Sequence, residues 1–364
     1  MSSSVSRFRK SGKYRSLEID RKLHKHNTKV VVLANGFIEN GYWYQLENIS
    51  ENMSDMFFRA GYDVHIMTFR PNKILLNRRF DTLTDASFKE IVCNQIPYYL
   101  DQIKKNYKEV HLIGHSYGAT LLASWLAGYT LSGQSRSVSP NPLLAQKNQL
   151  GISSFISLSG FYGINWDFFE NNFFPRITKE IPKKIDKEFS SEYSTITLYA
   201  ITKLASKSSY IHTGSLSLLK PLVNKNTGQI FKFLPVHLLP FVHLKNANPA
   251  ALAEALVYGS HHESWDTFDS MLSMTRKNYN DFWKSKLFEA FYESLSYIKI
   301  PSIFIQGSKD LMSPPSMIRT FGFDLMGSMS KEFFTIPDTG HQDLLIPKNP
   351  APLYSKLCDW VNAA

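Results

Sequence analysis

Val110-His111-Leu112-Ile113-Gly114-His115-Ser116-Tyr117-Gly118-Ala119 decides how this chain folds. An apolar run, Val110 to Ile113, meets the pattern G-x-S-x-G, and a helix-like stretch from Ala119 to Ala127 follows it. A nucleophilic serine is mounted in this way. The strand carries Ser116 to the edge of a sheet, the two glycines permit a sharp turn with close neighbours, and the helix aims its first amides at the reacting centre.

A serine hydroxyl is a poor nucleophile until a base accepts its proton and a carboxylate orients that base. Both partners are present downstream. Ser302 to Gly307 reads as a buried strand followed by Ser308-Lys309-Asp310, and Glu332 to Ile336 reads as the next strand, followed by Pro337-Asp338-Thr339-Gly340-His341. The candidate catalytic set is therefore Ser116, Asp310 and His341, each placed just after a strand. Asp338 and Asp343 are rival acids, ranked below Asp310 because a carboxylate that orients the imidazole should come from a separate strand end.

Upstream, Val30 to Ala34 is a continuous apolar run suited to a central strand covered on both faces. It ends in Asn35-Gly36-Phe37. The amides of Phe37 and Tyr117 are the candidate oxyanion donors, since one donor follows the nucleophile and the other comes from an early strand-to-helix loop. Asn35, His115, Phe161, Tyr162 and Trp166 are candidate substrate contacts.

Between the strands the pattern alternates. Gln45 to Arg59 reads as helix, Asp63 to Phe69 as strand, and Ser87 to Tyr107 as a helix that Pro97 kinks or divides. The fold class is α/β, a mainly parallel sheet flanked by helices. Thr130 to Leu150, rich in Ser, Asn, Gln and Pro, reads as an exposed loop or a disordered insertion. The expected organisation is a basic tail over residues 1–28, a core over 29–159 and 300–364, and a large, mostly helical cap over 160–299. Some 140 residues in that last span are far too many for a loop. Its aromatic clusters, Phe161 to Phe174 and Phe231 to Phe241, would suit either a packed core or an apolar lid over acyl chains.

At 364 residues and 43% hydrophobic, the chain can bury a large core. Of its formal charge of +10, the tail holds eight Lys and Arg against two acids. Such a tail reads as a solvated arm with, at most, weak contact to an anionic membrane surface; without an aromatic-basic motif, nucleic acid is not an expected partner. The two cysteines, Cys93 and Cys358, read as reduced. Neither a secretory signal nor a membrane span is recognisable, so the expected location is cytoplasmic. His261-His262-Glu263 lacks further ligands at a metal spacing, and neither a phosphate-cradling loop nor a dinucleotide fingerprint occurs; the expectation is no metal and no cofactor.

These residues resemble the α/β-hydrolase superfamily, and within it the acid-lipase-like enzymes and the polyhydroxyalkanoate synthases. Gly61-Tyr62-Asp63-Val64 leads a strand ending in Phe69-Arg70. Phe88-Lys89-Glu90-Ile91 with Ile96-Pro97 is similar to the helix before those families' nucleophile strand, and His341-Gln342-Asp343-Leu344-Leu345-Ile346 to their histidine segment. The likeness covers roughly residues 29–128 and 300–362. The synthases use cysteine where Ser116 stands, which disfavours polymer synthesis, and the lipase-like enzymes usually have histidine where Asn35 stands. The resemblance implies a serine hydrolase cleaving an apolar acyl ester or thioester. Alternatives are an acyltransferase, thioesterase or cyclising enzyme with the same catalytic set, and a catalytically silent binding protein.

Overall fold

A computed structural model describes residues 6–8, 17–37, 39–69, 88–132, 137–163, 242–243, 245–259 and 286–364. Within them lies an eight-stranded sheet in the order β1-β2-β4-β3-β5-β8-β9-β10, built from Ser6–Phe8 (β1), Leu17–Lys22 (β2), Lys29–Ala34 (β3), Asp63–Phe69 (β4), Glu109–His115 (β5), Ser154–Leu158 (β8), Ser302–Gly307 (β9) and Lys331–Ile336 (β10). Strands β4 to β10 of that order pair in parallel; β1 and β2 are antiparallel additions at one edge. Tyr129–Ser132 (β6) and Ser137–Pro140 (β7) form a separate hairpin.

The apolar run of β3 is sandwiched as its composition requires. Val30, Val32 and Ala34 point into one core cluster, with Tyr99, Leu100, Leu122 and Trp125; Val31 and Leu33 point into the other, with Phe57, Ile303 and Leu357. Successive strand residues face opposite sides, so a strand apolar at every position needs cover on both. That cover comes from Ile96–Asn106 (α2) and Tyr117–Leu126 (α3) on one face, and from Met53–Arg59 (α1) and Ala351–Ala363 (α8) on the other. Pro142–Gln149 (α4), Pro249–Tyr258 (α5), Lys286–Leu295 (α6) and the short Pro315–Ile318 (α7) complete the labelled helices. Helices α5 and α6 fall within the span assigned to the cap, yet they bury Ala251, Leu252 and Ala255, and Phe291, Tyr292 and Leu295, in those same two clusters. The cap aromatics from Trp166 to Phe241, and His261-His262, lie outside the described residues.

Three expectations change. The basic tail is not wholly a solvated arm, because Leu17–Lys22 pairs antiparallel with β4 along six residues. Its alternating Leu-Glu-Ile-Asp pattern is that of a half-buried strand, and Lys22 pairs its charge with Asp55. Thr130 to Leu150 is not an exposed loop but the β6–β7 hairpin followed by α4. Asn141 caps that helix by accepting from the Leu143 and Leu144 amides, with Pro142 in its first turn. The helix expected over Gln45 to Arg59 is shorter, starting at Met53 after its Asn52 cap. Pro97 does not break its helix in two: the chain stays helical through a π turn, Ile91–Gln95, that precedes α2 and loosens the ladder where the proline ring would meet the carbonyl four residues back.

A directed chain of hydrogen bonds locks the β2 edge. Tyr107 donates to Asp63 Oδ2 at 2.7 Å, so its oxygen must accept from His65 Nε2, 3.2 Å away. The opposite nitrogen, Nδ1, then accepts from the Tyr99 hydroxyl, which in turn receives Arg21. Burial, and secondarily the Arg21 charge, lowers His65 to a pKa of about 3, which keeps it neutral as this directionality demands. Among the described residues, no helix is long and apolar enough to cross a membrane.

Candidate active site

Strand β5 delivers Ser116 into a conformation that side chains rarely adopt, φ 51° and ψ −125°. Backbone strain of this kind costs on the order of 1–3 kcal/mol and persists only where the surroundings enforce it. Here the Ser116 amide donates to the Leu158 carbonyl at 2.9 Å, and the Ser116 carbonyl accepts from Ala119 and Phe161. The flanking glycines are dictated by contact. A Cβ on Gly114 would stand 2.4 Å from the Ala119 backbone, and one on Gly118 would stand 2.4 Å from the Asn35 carbonyl oxygen. The start of α3 is thus pressed directly against the loop that leaves β3.

The structure brings His341 and Asp310 together with Ser116. His341 Nε2 lies 2.8 Å from Ser116 Oγ, and His341 Nδ1 lies 2.7 Å from Asp310 Oδ2. All three are buried, at 4%, 0% and 2% exposure. Asp310 is held as an acceptor on every side: Gln306 Nε2 donates to Oδ2 at 2.6 Å, and the Met312 and Ser313 amides donate to Oδ1 at 3.0 and 2.8 Å. Nδ1 of His341 therefore carries its proton toward Asp310, and Nε2 presents a lone pair to the serine hydroxyl. The two loops that bring acid and base together are stitched by Lys309 N to the Thr339 carbonyl and Ser308 N to the Ile336 carbonyl.

Asp343 has a different task. Its carboxylate accepts from the Gly340 and His243 amides, fixing the turn at His341 without touching the ring. Burial pushes its pKa up to about 6, against the pull of those two amides. Asp338 sits at φ 50° in the turn before.

The side chains expected to contact substrate also have partners within the protein. Asn35 spends its side chain on the loop itself, donating to the Gly36 and Glu39 carbonyls and accepting from Phe69 N. His115 is fully buried: Nδ1 lies 2.8 and 3.0 Å from the two carboxylate oxygens of Glu39, and Nε2 lies 3.1 Å from the His341 carbonyl. Its ring centroid lies 5.2 Å from that of His341. Phe161 and Tyr162 pack in the core, Tyr162 against Phe291 and Phe304. Phe37 and Tyr117 stand on the two pressed-together segments, their rings edge to face at 6.5 Å. Glu39 and Gln306 escaped sequence reading. Glu39 is a carboxylate only 1% exposed that also accepts from Gly36 N at 2.6 Å, and only its partner 76 residues away gives it meaning.

No protein-family model matches the chain, and neither does any curated protein sequence. Its backbone, however, is similar to solved structures. A soluble variant of monoglyceride lipase from Saccharomyces cerevisiae aligns over 100% of this chain and 95% of its own, with TM-score 0.55 and 11% identity. A putative aryl esterase from Burkholderia cenocepacia aligns over 95% and 94%, with TM-score 0.53 and 11% identity. A monoacylglycerol lipase from Paleococcus ferrophilus aligns over 95% and 98%, with TM-score 0.50 and 15% identity. With strand order, the strained turn at Ser116 and these likenesses in agreement, the chain has the α/β-hydrolase fold.

Proposed function

We propose that the protein is a serine hydrolase that cleaves an apolar carboxylic ester through an acyl-enzyme on Ser116. The observation that carries this reading is the unbroken relay from Ser116 Oγ through His341 to Asp310, with both links under 3 Å. Ser116 attacks the carbonyl carbon while His341 Nε2 takes the hydroxyl proton. The imidazolium then donates that proton to the leaving alcohol, and Asp310 stabilises the cation between the two transfers. The Phe37 and Tyr117 amides are assigned to the oxyanion; a donor of this type is worth about 10²- to 10³-fold in turnover. The solved structures similar in backbone are named as lipases and esterases, which agrees with this chemistry. Resolution of the same acyl-enzyme by an alcohol or amine is the second reading. The near-complete burial of Ser116 and His341 favours it to the extent that water is kept from the ester.

Ser116→Ala is the direct test. Turnover of a medium-chain p-nitrophenyl ester and labelling by a fluorophosphonate should both vanish, and persistent labelling of the alanine variant would remove Ser116 as the nucleophile. Adding alcohols to the wild-type reaction separates the two readings: dominant ester product over free acid identifies a transferase.

A further inference from the structure

Beyond the relay, one buried pair of charged groups has no part in the chemistry above. His115 faces Glu39 through Nδ1 and the His341 carbonyl through Nε2. A carboxylate and a carbonyl both accept and neither donates, so each ring nitrogen must carry a hydrogen, which makes the ring an imidazolium. Glu39 meanwhile receives the Gly36 amide, and its carbonyl receives the Asn35 side chain. A single pair thus touches both the loop that leaves β3 and the backbone of the candidate base.

From this geometry we infer that Glu39 and His115 are positioning residues, a buried carboxylate–imidazolium pair that holds the Asn35–Phe37 loop in register with the backbone of His341. The inference rests on the serine-hydrolase reading and deepens it. The Phe37 donor and the base come from segments some 300 residues apart, and transition-state stabilisation requires them to keep sub-ångström register. The pair supplies that register with hydrogen bonds at both ends of one rigid ring. It also adds no net charge beside His341, whose ring centroid is 5.2 Å away.

The groups facing His115 are Glu39 and Tyr44 from the segment after β3, Asp310 from the loop after β9, and His341 from the loop after β10. Burial, the largest influence on His115, favours the neutral ring. The Glu39 carboxylate, the His341 carbonyl and Asp310 outweigh it and hold the imidazolium above the ordinary histidine range. Tyr44, raised well above its usual value first by burial and then by Glu39, stays a neutral phenol that donates to the Ala34 carbonyl. Loss of the His115 proton as pH rises would leave one nitrogen without a hydrogen and release one end of the bridge.

The experiment compares full-length wild type, Glu39→Gln and His115→Gln. Histidine rings are labelled with ¹³C and ¹⁵N, and the His115 signal is the one missing from the His115→Gln spectrum. In the wild type that ring should remain an imidazolium above the usual histidine titration range, and in Glu39→Gln its titration should fall to lower pH. Glutamine keeps an acceptor for Gly36 N, so the loop retains its local turn. Turnover should fall about 10- to 100-fold in kcat with little change in KM, as for an ångström-scale misplacement. The alkaline limb of kcat/KM should follow the His115 titration in Glu39→Gln and disappear in His115→Gln. A neutral His115 ring at pH 7, or a Glu39→Gln profile that superimposes on wild type, overturns the inference. A wild-type protein that turns over no ester and is not labelled at Ser116 defeats the hydrolase reading instead, and the ring titration then decides the pair by itself.

Discussion

Asp310→Asn tests the relay most sharply, because the structure leaves a carboxamide no satisfactory orientation. Four donors converge on the carboxylate: the Met312 and Ser313 amides on one oxygen, His341 Nδ1 and Gln306 Nε2 on the other. The two backbone amides cannot reverse, so the asparagine oxygen turns to them and its NH₂ meets His341. The imidazole then accepts through Nδ1, and its single proton moves to Nε2, where Ser116 needs a lone pair. Gln306 cannot simply flip to help, because its Nε2 also donates to the Ser313 carbonyl at 2.7 Å. A buried donor left facing a donor costs about 1–3 kcal/mol of stability, enough to lower the melting temperature by a few degrees. The wrong tautomer costs far more in turnover, about 10⁴-fold where the same change has been made in a serine relay, or roughly 5 kcal/mol of barrier. The assay is kcat/KM on a p-nitrophenyl ester together with the rate of fluorophosphonate labelling, on a variant shown to be folded by near-ultraviolet circular dichroism. Activity within ten-fold of wild type would refute the proposed role of Asp310.

Two further outcomes follow from the same geometry. Asp343→Asn should keep turnover within several-fold of wild type, since a carboxamide oxygen can still accept from the Gly340 and His243 amides. Because the folded-state pKa of Asp343 is raised to about 6, its favourable contribution is fully present below the unfolded carboxylate value and is lost as pH rises through 6. At neutral pH the charged form therefore costs on the order of 3 kcal/mol, and chemical denaturation of the variant should show a flatter stability profile between about pH 4 and 7; an unchanged profile would contradict the assignment. Gly118→Ala drives a Cβ to 2.4 Å from the Asn35 oxygen and 2.5 Å from the Ala34 oxygen, both immovable backbone. It should cost about 1–3 kcal/mol from overpacking and about 10²-fold in kcat from displacement of the loop that carries Phe37; wild-type turnover in a folded variant would show that the loop is not part of the site.

Much of the scaffold was legible locally. Strands β3, β4, β5 and β9 announce themselves as apolar runs because strands covered on both faces have no polar side to hide. Ser116, Asp310 and His341 drew attention in the sequence because each lies within five residues of a strand end, and the ends of parallel strands are where a sheet of this class gathers its side chains. Elements at the margin were not. The β2 edge and the β6–β7 hairpin are half-polar, so their alternation is faint against the serine, arginine and asparagine around them. Asn141-Pro142 did mark the start of α4, a cap and a first-turn proline, within a stretch whose composition otherwise reads as loop.

The chain by itself determined the tight turn at Ser116 and the class of the sheet, since each depends on a few consecutive residues whose conformational limits are intrinsic. Only the tertiary structure shows that Asp310, ranked first of three acids by its separate strand end, meets the His341 ring, and that His115 turns to Glu39 while Asn35 turns into its own loop. Those outcomes depend on the direction of side chains brought together from distant segments. Hydrogen bonds at under 3 Å select among directions that a linear pattern leaves equivalent.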